Sequence, residues 1–236
     1  SMKSSTSIKA LPLVSVLFLW TSTVNAEGWR WDLTPYFWAT ALNGTQTVQG
    51  KPVDVDASFS DLLDFIDYGL AARLEGRTVG WGFFGDIFHA KLSEETAFPA
   101  TSLTGEMRQT IIEGAVTFPF ADDLEVYVGL RNQDVDFSLD VSAGNKRNKN
   151  NNWTDGMVGF IWKPIDTGRW TYWLRADAGA GDSDSVWLAA TGVGYRFNET
   201  VSLALAYRHL DTEYENEGFG YDIVQSGLGL GLGFSW

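Results

Sequence analysis

The chain has no cysteine, only six prolines and two histidines, and its 17 lysines and arginines face 30 aspartates and glutamates. Without cysteine, disulfide bracing, thiol nucleophiles and thiolate-bound metal are excluded. A net charge of −13 argues against nucleic acid as a partner, because phosphate selects a basic surface. Beyond the N-terminus no segment approaches the roughly 20 apolar residues that a membrane-spanning helix needs. Catalysis by imidazole is restricted to His89 and His209.

What is present is aromatic residue, glycine and alternation. The N-terminal stretch carries Lys3 and Lys9, then the apolar run ALPLVSVLFLW, then TSTVNA with Val24 and Ala26 at the −3 and −1 positions. That order reads as a secretory signal peptide over 1–26, leaving one domain over 27–236. Within that domain apolar residues recur at period two and not at the helical period. In LEVYVGLR, Leu124, Val126, Val128 and Leu130 share one face, and Glu125, Tyr127, Gly129 and Arg131 share the other. WRWDLTPYF, WTYWLRADAGAG and VWLAATGVGYRF repeat the pattern.

These segments predict ten strands, at 29–43, 68–78, 81–92, 107–120, 123–139, 153–163, 169–180, 186–197, 200–213 and 222–236. Eight remain if a weaker segment is a loop. Tight connections near 79–80, 121–122, 166–167 and 198–199 alternate with mostly longer polar ones near 44–67, 93–106, 140–152, 181–185 and 214–221. An even number of two-faced strands joined alternately by short turns and long loops predicts an all-β, antiparallel, up-and-down transmembrane barrel. Trp29, Trp31, Trp81, Phe118, Trp162, Trp170, Tyr195, Phe197 and Trp236 then fall near the turn end of the outward face, as an interfacial girdle requires.

The chain closes on GLGLGLGFSW, which is no dinucleotide loop because no helix can follow it. Leu228, Leu230, Leu232, Phe234 and Trp236 form its apolar face, and the glycines are expected to give neighbouring lumen side chains room. This last strand, with Leu232, Phe234 and Trp236, resembles the assembly signal of Gram-negative outer-membrane proteins. VDASFSDLLDFIDYGLAARLEGRTVGWGFFGDIF, and GVGYRF followed by LALAYRHLDTEY, are similar to a group of small porin-like barrels. The resemblance implies the bacterial outer membrane as location, and a pore or structural membrane protein as function. Its implied partners are outer-membrane lipid, lipopolysaccharide and the barrel assembly machinery, and a monomer without cofactor is expected.

Inward positions collect Arg30, Asp32, Arg73, Glu75, Asp86, Glu113, Glu125, Arg131, Asp155, Arg175, Asp177, Arg196 and Arg208. Charges of both signs in a confined lumen are expected to pair, since an unpaired one costs several kcal/mol. Arg73, Arg131, Arg175 and Arg208 are expected to meet Glu75, Glu113 and Asp177. The competing reading is a narrow selective pore.

In SFSDLLDFID, Phe59, Leu62, Leu63 and Ile66 share a helical face, which predicts a short helix in the first loop, packed on the rim or folded into the mouth as a lid. His209 with Asp211, plus Asp134 with Asp136, loosely resembles the acid–histidine and acid pairs of an omptin-type outer-membrane hydrolase, in reversed order and without surrounding motif. Asp54, Asp56, Asp182 and Asp184 read as solvated loop charge before they read as a cation site. Lys146, Arg147 and Lys149 form one basic stretch, read as a flexible loop. Surface recognition or adhesion is the further alternative for such a barrel.

Overall fold

The computed structural model describes residues 28–48, 50–58, 66–98, 101–141, 145–216 and 218–236. The segment read as a signal peptide, 1–26, lies outside them. The strands are β1 (Arg30–Val48), β2 (Lys51–Ala57), β3 (Ile66–Thr78), β4 (Trp81–Phe98), β5 (Thr101–Ala121), β6 (Leu124–Val141), β7 (Asn145–Asp166), β8 (Trp170–Gly181), β9 (Ser185–Arg196), β10 (Val201–Asn216) and β11 (Phe219–Ser235).

Each of the ten long strands pairs antiparallel with its neighbours in chain order, and β11 pairs with β1 from Asp32–Ser235 to Val48–Phe219. The sheet is therefore a closed ten-stranded barrel. Closure satisfies the backbone groups of the first and last strands, which an apolar surrounding could not solvate. Trp236 completes the seam by exchanging both backbone hydrogen bonds with Trp31, each at 3.0 Å.

The short β2 is an addition to the expected ten. It folds back on the upper half of β1, from Leu42–Ala57 to Val48–Lys51. The predicted long loops at 93–106 and 140–152 are mostly strand instead: β4 and β5 pair as far as Phe98–Thr101, and β6 and β7 as far as Val141–Asn145. Polar residues in sequence suggest loop there, yet once a ladder is under way both of its faces can be polar if both meet water. The stretch with Lys146, Arg147 and Lys149 is accordingly strand.

Of the first-loop lid residues, Phe59, Leu62 and Leu63 lie outside the described residues. Ile66 does not belong to a helix; it opens β3 opposite Leu92.

The alternation read from the sequence sorts the side chains as expected. Leu70, Ile87, Ile112, Val128, Leu130, Val158, Leu228 and Leu230 are exposed on the outside. At the turn end, Trp29, Trp31, Trp81 and Phe83 pack ring on ring, and so do Trp170, Tyr195 and Phe197. The Trp162 indole donates to Asp123 at 2.8 Å, so its polar edge points to the turns while its ring stays with the apolar band.

Inside, Trp38, Phe88, Ile111, Val186, Leu188 and Leu210 form one apolar layer. Val135, Trp153, Tyr214, Phe219, Tyr221 and Ile223 form another toward the loop end.

Candidate functional site

The lumen is the site, because it gathers the ionisable residues that the outward apolar band excludes. Period-two geometry makes this automatic: Glu113 on β5, Arg131 on β6, Arg175 and Asp177 on β8 and Arg208 on β10 all sit at inward positions of their strands.

Register brings these five together. Glu113 Oε1 accepts from Arg131 Nε at 2.9 Å and from Arg208 Nη2 at 3.0 Å, and its Oε2 lies 2.8 Å from Arg175 Nη2. Asp177 accepts from Arg131 Nη2 at 2.8 Å and from Arg175 Nη2 at 2.9 Å. Tyr127 O–H donates to Asp177 at 2.5 Å and accepts from Arg175 Nε at 2.7 Å. Arg131 is 0% exposed and Glu113 2%. The Arg175 guanidinium also stacks 4.9 Å from the Phe84 ring centre, and that of Arg208 4.5 Å from Trp38. Charges this deeply withdrawn from water are tolerable only because they pair with opposite charge, and even so Arg131 Nη1 and Arg208 Nε are buried without a hydrogen-bond partner.

A second cluster lies nearer the turns. Arg73 Nε and Arg77 Nη2 each reach Glu75 at 2.5 Å, and Arg73 Nη1 is 3.5 Å from Asp86. Glu125 stands 3.5 Å from both Arg77 Nε and Lys163 Nζ. Tyr36 joins the two clusters, donating to Asp86 at 2.7 Å and accepting from Arg208 at 3.5 Å.

Four of the expected lumen residues stand apart from both clusters. Arg30 is exposed at the turn end and makes no ion pair among the described residues. Asp32 accepts from the Ser235 hydroxyl, and Arg196 binds the Gly168 carbonyl at 2.6 Å and lies 3.7 Å from Asp166. Asp155 faces Arg131 in register but accepts from the Ser183 N–H at 2.9 Å.

The sequence reading missed Tyr36, Tyr127, Arg77 and Lys163 as partners in these clusters, and also an amide layer above them. Gln109 and Gln225 exchange hydrogen bonds at 2.9 and 2.7 Å, Gln109 also donates to Tyr221 at 3.1 Å, and Gln133 donates to Thr212 at 3.0 Å. The parity rule that selected Glu113 and Arg131 selects Gln109 and Gln133 as well, four and two residues along the same inward faces. Selecting inward residues by charge passes over neutral amides.

Below the central cluster the lumen is not filled. A cavity of about 720 Å³ runs to the turn end, lined by Arg30, Lys163, Thr171, Ala204, Gly231 and Ser235 among others. The C-terminal glycines therefore do not all make room for neighbouring side chains: a Cβ on Gly229 would meet nothing nearer than 3.5 Å, whereas one on Gly231 would press on Thr34 and Tyr36.

His209 and Asp211 point outward from β10, flanking the buried Leu210. Trp187 connects them, with its ring 4.7 Å from that of His209 and its N–H 3.1 Å from Asp211. Asp134 accepts from Asn150 and Asn152 on the outer face of β6 and β7. Strands β6 and β10 are not neighbours in the sheet, so the two acid pairs are not brought together. His89 Nδ1 lies 2.8 Å from the Thr110 hydroxyl. Asp182 accepts from the Thr154 N–H at 2.9 Å, and Thr45 reaches Asp54 at 3.5 Å.

No family model matches the chain, and no curated protein does. Solved structures give low scores. The attachment invasion locus protein Ail of Yersinia pestis is 10% identical, with TM-score 0.44, covering 89% of this chain and 99% of its own. The Ralstonia pickettii toluene transporter TbuX is 7% identical, with TM-score 0.41 and 89% of each chain covered. Neisserial surface protein A is 14% identical, with TM-score 0.35, covering 88% of this chain and 99% of its own. Likeness at this level carries no function from those proteins to this chain.

Proposed function

We propose that this chain is an integral outer-membrane β-barrel with a shut lumen, a structural membrane protein and not an open pore. The exposed apolar band with aromatic rings at its turn end supports the membrane reading. The carrying observation is the closed cross-section. Arg131, Gln133, Val135 and Trp153 are each 0% exposed, so the obstruction extends over several residues of lumen height. Charge, amide and aromatic layers succeed one another there. Lipid and lipopolysaccharide are then its surroundings, and the barrel assembly machinery its route in.

Ion flow tests this. The purified protein in planar bilayers should show no conductance, and neither should Arg175→Ala, because the amide and aromatic layers remain in place above the charge cluster. Large, stable channels in the unmutated protein would overturn the proposal.

Surface recognition is the second reading, and one observation favours it. Strands β5 to β7 continue well past the last outward apolar residues, Ile112, Leu130 and Val158. Their outward positions become polar there, with Asn132, Asp134, Asn150 and Asn152 forming a hydrogen-bonded ladder. A wall of that length would stand clear of the membrane and present a surface.

A further inference from the structure

The chamber beneath the central cluster is bounded above and reaches solvent below. On four strands its lining ends upward on a large inward residue: Trp38 on β1, Arg175 on β8, Leu188 on β9 and Arg208 on β10. Downward it extends to the turns, where Arg30, Asp166 and Glu199 are exposed. Its volume of about 720 Å³ falls within the roughly 300–1,000 Å³ of small-molecule sites. The space persists because inward positions of β9 and β10 carry Ala190, Ala204 and Ala206 where large side chains would fill it.

Its walls differ in chemistry. Between the ceiling and the turns, β8 to β10 present Trp173 and the three alanines. Over the whole lining, cationic side chains outnumber carboxylates seven to five, in a chain whose acids outnumber its bases 30 to 17. Four of the five carboxylates already hold a donor: Glu75 holds Arg73 and Arg77, Asp86 holds Tyr36 and Arg73, Asp166 holds Arg196, and Asp32 holds the Ser235 hydroxyl. Cationic donors are left over. Arg30 has no ion pair among the described residues and stands directly opposite Arg77 in the β1–β3 ladder, a like-charge pairing that is unfavourable by itself. Lys163 reaches one carboxylate among the described residues, Glu125 at 3.5 Å, and shares it with Arg77.

We propose that the chamber binds a small amphipathic organic anion entering from the turn side, with its apolar body on Trp173 and the alanines and its carboxylate toward Arg30, Arg77 and Lys163. An inorganic anion would leave the apolar wall without a contact. An apolar solute would leave the guanidinium and ammonium groups without an acceptor. A molecule of both characters meets both walls. This site goes beyond the shut lumen proposed above, and the two can fail separately.

The absence of native cysteine gives a clean background for testing it. Ala206→Cys places a thiol on the apolar wall. In detergent-solubilised protein it should react with sulfonatoethyl methanethiosulfonate at least about tenfold faster than with the trimethylammonium-ethyl reagent, each rate taken relative to 2-mercaptoethanol, because a cation-rich cleft concentrates anions. Saturating 2-naphthoate should suppress the reaction, and 2-naphthylmethylammonium should not. Arg30→Gln, which removes no ion pair, should lower the preference for the anionic reagent.

Mass spectrometry reads each adduct, heat-modifiable migration checks folding, and Ala204→Cys replaces Ala206→Cys if that variant fails to fold. No reaction with either reagent would show that the chamber is not reached and would overturn the site. Equal relative rates would overturn it too, as would suppression by both naphthyl ions alike, or a preference that Arg30→Gln leaves unchanged. Conductance of the unmutated protein with naphthoate protection intact would overturn the shut lumen alone, and absent protection without conductance would overturn this site alone.

Discussion

Glu113→Ala is expected to be the most destabilising single substitution in the lumen, lowering stability by about 3–5 kcal/mol, the range for removing one partner from a buried ion pair. The reason is charge count as well as contact. Three arginines, Arg131, Arg175 and Arg208, share two carboxylates, Glu113 and Asp177, and Glu113 touches all three. Without it three guanidinium groups are left around one carboxylate, Arg131 among them fully buried.

Arg208→Ala makes the informative contrast. It leaves two arginines with two carboxylates, and the Arg208 side chain is 11% exposed, so its loss should cost less. Equilibrium unfolding in detergent, or the temperature at which the folded band is lost in gels, measures both. A Glu113→Ala barrel as stable as Arg208→Ala would show that the cluster is not held by the pairing described.

Two glycines in the same C-terminal repeat are expected to behave in opposite ways. A Cβ on Gly227 would collide with the Ala39 carbonyl oxygen across the β1–β11 seam, and it also comes within 2.9 Å of Thr40 Cα. Both are backbone atoms held in a ladder that closes the barrel, so neither can move without opening the seam. Gly227→Ala should therefore prevent closure, and the variant should lose heat-modifiable migration and become protease-sensitive.

A Cβ on Gly229 meets nothing closer than the Phe37 carbonyl oxygen at 3.5 Å, an ordinary contact. Gly229→Ala should fold normally. Indistinguishable behaviour of the two variants would mean that the close approach at Gly227 relaxes in solution.

Much of this was legible along the chain because strand alternation is local. Whether Arg131 or Leu130 faces the lumen depends only on parity within β6, and whether Trp162 lies near a turn depends only on its distance from Asp166. Inward and outward faces, the ten long strands and the turn ends therefore follow from residue order. Strand ends on the loop side did not, because polar residues at both faces suit a solvated loop and a solvated wall equally, as in β7 ahead of Trp153. Ile66 was misjudged for a related reason: four apolar residues at helical spacing do not reveal that one of them begins a strand.

Register was decided by the tertiary structure alone. Pairing Glu113 with Arg131, and bringing Arg208 to Glu113 from 95 residues away, depends on how all the strands are staggered around a closed sheet. The same closure places Gly227 against the Ala39 carbonyl and leaves Gly229 without a close contact, though the two residues stand two apart on the same face of one strand. It also ends the β1–β3 ladder at Tyr36–Ala71. Side-chain direction is a property of one strand and can be read from it; contact across a lumen is a property of the whole ring of strands, and no short stretch of residues contains it.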